Sequence, residues 1–78
     1  MPAPEAIEEA VRQSIAQVKA DESLQPGLTD DFETYDIDSL DRMSIMLQVE
    51  QKLGISLENE DPNKLNTIQK YIDHITGM

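Results

Sequence analysis

The chain has no cysteine, no tryptophan and a single histidine, His74. Disulfide frameworks, thiolate metal sites and a cysteine nucleophile are therefore excluded, as is any site built on two imidazoles. Basic residues are scarce too: six Lys and Arg stand against sixteen Asp and Glu, a net charge of −10 at pH 7. So acidic a chain is repelled by phosphate backbones and anionic lipids, which disfavours nucleic acid and membrane insertion and favours a partner with a basic face. No run approaches the ~20 apolar residues of a membrane span. The first ten residues carry Glu5, Glu8 and Glu9 and no apolar stretch, so no signal peptide is expected and the expected location is the cytoplasm. Seventy-eight residues predict a single small domain, 1–78. A domain of that size buries only about 60% of its unfolded surface, so its stability is expected to be marginal.

What the chain does have is helical periodicity. Ile7, Val11, Ile15 and Val18 fall on one face of a helix predicted from Ala3 or Pro4 to Lys19. Pro4 suits its first turn, and Glu5, Glu8, Glu9 and Lys19 complement its dipole. A second helix is predicted from Ser39 to Leu53, with Asp38 as N-cap, Asp41 as capping-box partner and Gly54 as the stop. Its apolar residues cover an arc of roughly 220°, wider than one core-facing stripe. Leu40, Met43 and Leu47 form one edge; Ile45, Met46, Val49 and Leu53 form the other. Either this helix is packed on two sides, or one edge is kept for a partner. A third helix is predicted near Thr67, with Asn66 as N-cap, Gln69 as box partner and Gly77 at its end.

Between the first two helices, residues 20–38 read as a long loop pinned by Leu24, Leu28, Phe32, Tyr35 and Ile37. Loops of that length tend to be functional or to hide a short helix. The polar run Glu58 to Lys64 contains Pro62 and admits at most a short helical turn. The fold class is all-α: three main helices, one short helix, and a long loop between the first two.

Chemistry has few candidates. Nucleophilic catalysis needs a base beside the nucleophile and a third group to orient it. His74 flanks the apolar stripe of the last helix with no such constellation, so no enzyme is expected. A calcium loop starting at Asp36 puts Asp41 where glycine belongs and Leu47 where glutamate belongs, and a start at Asp31 fails likewise. No metal ligand set is assigned. Ser39 remains: it follows the acidic loop and opens the second helix, where an anion on its hydroxyl is favoured by the dipole and opposed by Asp38. Taken alone, Asp38-Ser39-Leu40 reads first as an ordinary helix start, since serine and aspartate begin helices commonly.

The wider pattern resembles the acyl carrier proteins of fatty-acid and polyketide synthesis. Asp38-Ser39-Leu40-Asp41 is followed by the apolar spacing of the second helix, by Glu50 and Leu53, and by Ile55-x-Leu57. Asn66-Thr67-Ile68-Gln69 and Tyr71-Ile72-Asp73-His74-Ile75 then look like that family's last helix. The resemblance implies a small four-helix bundle of acyl-carrier type that catalyses nothing. It implies a 4'-phosphopantetheine arm on Ser39, attached from coenzyme A by a separate phosphopantetheinyl transferase. It further implies partner recognition by Asp38, Leu40, Asp41, Met43, Leu47 and Glu50, and an acyl pocket or core lined by Met46, Val49, Leu53, Leu57 and Leu65. The implied partners of this monomer are acyl-loading and acyl-processing enzymes with basic docking surfaces. Where the family usually has Leu-Gly-x before Asp-Ser, this chain has Tyr35-Asp36-Ile37. Ser44 and Gln51 stand where glutamates are common, and Arg42 is added. Those departures point to a dedicated biosynthetic pathway rather than housekeeping fatty-acid synthesis. An aminoacyl or peptidyl carrier is the alternative within the family; an unmodified acidic helical adaptor is the alternative outside it.

Overall fold

Helix α1 (Pro4–Lys19) begins where Pro4 fixes the first turn after the extended Ala3, and it has no side-chain cap. It ends where Ala20 turns left-handed at φ 52° and its N–H reaches the carbonyls of Ala16 and Gln17. The computed structural model describes residues 2–78; α1 is followed by a 3-10 turn (Phe32–Tyr35), α2 (Ser39–Leu53) and α3 (Ile68–Thr76). Helix α1 lies against both α2 and α3, and the whole measures 29 × 23 × 21 Å.

Ile7, Val11 and Ile15 of α1 are fully buried, while Val18 packs half-covered at the margin. Facing them are Ile45, Met46 and Val49 of α2 and Ile68, Tyr71 and Ile75 of α3. Leu57 and Leu65 come from the connector between α2 and α3, and Phe32 and Ile37 from the long loop. The loop therefore contributes to the core rather than covering it. Of its five apolar residues, Phe32 and Ile37 are wholly buried, Leu24 and Tyr35 partly, and Leu28 is exposed.

Three local expectations are corrected. The short helical element is the 3-10 turn inside the first loop; residues 58–64 form hydrogen-bonded turns instead. There the Asp61 carboxylate accepts from Asn63 N at 2.9 Å and the Asp61 carbonyl from Lys64 N at 3.0 Å, an Asx turn that Pro62 cannot extend. The N-cap of α3 is Thr67, whose hydroxyl accepts from Lys70 N at 3.0 Å, not Asn66. Asn66 is drawn elsewhere, its amide donating to Asp31 at 2.8 Å across 35 positions, and Gln69 donates to Asp73 rather than closing a box. The capping box of α2 is half made: Asp38 accepts from Asp41 N at 2.9 Å, but the Asp41 carboxylate turns to Lys19.

Candidate functional site around the start of helix α2

The start of α2 is fixed by three contacts. Asp38, extended at φ −79° and ψ −176°, caps the helix through its carboxylate. Phe32 N donates to Asn66 O at 2.9 Å, and Ile37 N donates to Phe32 O at 3.1 Å, which close the 3-10 turn onto the core. Between them Asp36 is left-handed at φ 58°, a conformation that costs most residues about 1–2 kcal/mol and that Asp and Gly tolerate best. Asp36 stands where the resembling family usually has glycine, so the two residue types meet one backbone requirement.

Cations hold this geometry by bonding carbonyls. Arg12 donates to Pro26 O at 2.7 Å and Lys19 to Asp36 O at 2.8 Å. Arg42 Nε donates to Ile37 O at 3.0 Å. Lys19 also pairs with Asp41 at 3.0 Å. That bond raises the lysine pKa; burial opposes it, and the charges of Asp41, Asp38 and Asp36 add to it.

Ser39 is the first residue of α2 and is exposed. It lines an open cavity of about 500 Å³ together with Glu33, Asp36, Ile37, Asp38 and Arg42. The residues singled out in the sequence divide by environment. Leu40, Met43 and Leu47 form an apolar edge on the outer face of α2, 73%, 50% and 52% exposed. Met46, Val49, Leu57 and Leu65 are buried, and Leu53 is half-buried against them. The acids are committed internally: Asp38 to the cap, Asp41 to Lys19, and half-buried Glu50 to Leu57 N at 3.0 Å. Ser44 and Gln51 are exposed and uncharged, so the outer face of α2 is mainly apolar and neutral. His74 lies outside this region of contacts, paired with Glu60 at 3.4 Å.

Sequence reasoning missed the carbonyl-binding roles of Arg12 and Lys19, and it registered Arg42 only as a departure. For Arg42 a signal existed. Three positions after Ser39 on a helix, it shares that serine's face. Among the described residues no helix is long and apolar enough to cross a membrane, and no group of three or more His, Cys, Asp or Glu could hold a metal ion.

Comparison with known proteins adds the following. The sequence profile of the family described as "Phosphopantetheine attachment site" matches residues 9–75. A protein named "Acyl carrier protein" from Buchnera aphidicola subsp. Schizaphis graminum is 42% identical over 40 residues, 51% of this chain and 51% of that protein. Proteins of the same name from Myxococcus xanthus and Micrococcus luteus are each 36% identical over 53 residues, 68% of this chain and 63% and 62% of theirs. The chain thus spans between half and under two thirds of the length of the curated relatives it matches. No solved structure matches at a significant level.

Proposed function

We propose, because the chain belongs to the acyl carrier protein family with its phosphopantetheine attachment site, that Ser39 carries the arm and that the protein shuttles acyl groups on it. The family's cofactor is a covalently attached 4'-phosphopantetheine. The observation that carries the reading is Ser39 itself: an exposed residue opening a 15-residue helix and lining an open cavity. Two features there favour a phosphodiester against the three acids of the cavity: the first N–H groups of α2 point out of the helix start, and Arg42 lines the same cavity.

When bound, the arm supplies the terminal thiol that a chain without cysteine lacks, and holds an acyl group as a thioester. The chain's own part is to present, not to catalyse. In loading, the Ser39 oxygen forms a bond to the phosphorus next to pantetheine in coenzyme A, and the pyrophosphate bond breaks. The 3',5'-adenosine bisphosphate half leaves, and the hydroxyl proton goes to a base of the phosphopantetheinyl transferase, which also brings Mg²⁺. Capping by Asp38 and the 3-10 turn hold the helix start rigid for that enzyme.

Docking follows the division of α2. Leu40, Met43 and Leu47 supply apolar contact to acyl-loading and acyl-processing enzymes, while Asp38, Asp41 and Glu50 contribute negative field toward their basic surfaces. Such contacts are brief and weaken with salt. Met46, Val49, Leu53, Leu57 and Leu65 form the core beneath, and line whatever space the acyl chain opens. The match over 9–75 supports reading 1–78 as one carrier domain, and our reading takes it to work as a monomer. Arg42, Ser44 and Gln51 support a dedicated pathway, fatty-acid-like, polyketide or other secondary-metabolite, over housekeeping fatty-acid synthesis.

The test is intact mass after incubation with coenzyme A, Mg²⁺ and a permissive phosphopantetheinyl transferase. A gain of one phosphopantetheinyl unit, absent in Ser39→Ala, is the expected result. No gain in either protein sinks the proposal and leaves the unmodified helical adaptor. Once the arm is on, loading with fatty versus amino-acid ligases separates an acyl from an aminoacyl or peptidyl carrier.

A further inference from the structure

Attaching a phosphodiester at Ser39 brings a new negative charge among Glu33, Asp36 and Asp38, the acids of the same cavity. Like charges at such range repel. Lys19 is already held by the Asp36 carbonyl and the Asp41 carboxylate. Arg42 is the one cation lining the cavity. It lies one helical turn beyond Ser39, and its Nε is fixed to Ile37 O at 3.0 Å. Among the described residues it takes part in no ion pair. The two Nη nitrogens therefore keep their donors for another acceptor, on a guanidinium whose stem is already half-buried and anchored.

From this geometry we infer that Arg42 is a positioning residue for the phosphodiester on Ser39: anchored through Nε to the loop, it binds the phosphate oxygens through Nη and holds the root of the arm against α2. The inference rests on the attachment proposed above. A guanidinium presents its donors as a rigid fork matched to phosphate, which a lysine ammonium replaces only as a point charge. The Nε bond to Ile37 O pre-orders that fork before modification. The arm then leaves the protein in a preferred direction instead of swinging freely from its first bond.

The test compares apo and holo forms of the wild type, Arg42→Gln and Arg42→Lys, with intact mass confirming the arm in each holo sample. In the wild type, the Arg42 Nη–H resonances are expected to shift on going from apo to holo. The ³¹P resonance of the arm is expected to move in Arg42→Gln and to return part of the way in Arg42→Lys. Attachment is expected to lower the melting temperature of Arg42→Gln by roughly 3 °C more than that of the wild type, the scale of one partly exposed charge pair in a domain this small. Unmoved Nη–H signals in the wild type overturn the inference without needing either variant to fold. So does a ³¹P position shared by all three proteins. Failure of the wild type to gain the arm is a separate result, read in the mass spectrum, and removes the attachment at Ser39 along with the inference.

Discussion

Tyr71→Phe is expected to stabilise this protein, against the usual sign for a core substitution. Tyr71 is 1% exposed, and its hydroxyl has no hydrogen-bond partner among the described residues. A buried polar group left without a partner costs about 1–3 kcal/mol. Removing the one oxygen forfeits a few dispersion contacts worth ~0.1–0.2 kcal/mol each. The balance favours phenylalanine by about 1–2 kcal/mol. In a domain of 60–100 residues each kcal/mol moves the melting temperature by about 4–8 °C, so the midpoint is expected to rise by roughly 4–15 °C. Urea unfolding followed by circular dichroism checks the same quantity, with the midpoint rising and the slope unchanged. The pH dependence adds an independent readout. Burial, aided by the Glu50 charge, pushes the Tyr71 phenol well above the ordinary tyrosine value. Below about pH 10 both states hold it neutral and its contribution is complete. Above that the unfolded chain ionises first, so stability is lost as pH climbs toward the folded value. Tyr71→Phe is expected to flatten that alkaline fall, leaving the part due to Tyr35 and Lys19, whose values are also raised. A lower melting temperature in Tyr71→Phe, with the alkaline fall unchanged, refutes the unpartnered hydroxyl.

Three further outcomes are expected. Phe32→Ala removes a wholly buried ring supplied by the long loop. It is expected to cost about 3–5 kcal/mol, a large part of the ~0.05–0.15 kcal/mol per residue a domain has in total; amide exchange in the first loop reports the loosening. Gly54 ends α2 at φ 65° with open space where a Cβ would stand, so Gly54→Ala is expected to cost about 1–2 kcal/mol from backbone conformation alone, and Gly54→Asn less. Asp30 is held below the ordinary carboxyl range by the Tyr35 hydroxyl and then by Gly27 N. It stabilises the fold above the unfolded carboxyl value and ceases to as pH falls through its folded value. In Tyr35→Phe the Asp30 titration, followed by NMR, is expected to move up toward the ordinary value without reaching it.

Helices α1 and α2 were legible because local chemistry agrees with tertiary packing there. Pro4, Asp38 and Gly54 punctuate the chain where the apolar spacing starts and stops, and no distant group competes for them. Where a distant partner intervenes, reading the sequence fails by a step. Asn66 looked like the cap of α3, but Asp31 takes its amide, and Thr67 caps instead. Asp41 looked like a box partner, but Lys19 takes its carboxylate from the end of α1. The 3-10 turn Phe32–Tyr35 was hidden for the same reason, since its placement depends on Phe32 N reaching Asn66 O. At the site, Ser39 stood out through the motif around it. The wide apolar arc of α2 announced two faces, and burial separates Leu40, Met43 and Leu47 from Met46 and Val49 as that arc suggests. What the sequence could not convey was how the charges around Ser39 are spent. Six acids and bases on either side of the serine look alike on paper, and only side-chain geometry tells a cap from a free charge.

The cation-to-carbonyl bonds that fasten the first loop have a consequence for behaviour in salt. Arg12, Lys19 and Arg42 each reach a neutral carbonyl oxygen of that loop, at Pro26, Asp36 and Ile37, and two of them also close ion pairs, Arg12 with Glu8 and Lys19 with Asp41. Mobile ions screen charge against charge over about 8–10 Å, and do little to a hydrogen bond closed at contact. The frame around Ser39 and the field around the whole acidic chain therefore answer unequally to salt. Raising the ionic strength is expected to dim the chain's field at a distance more than it loosens the frame, whose carbonyl bonds stay closed while its two ion pairs are screened.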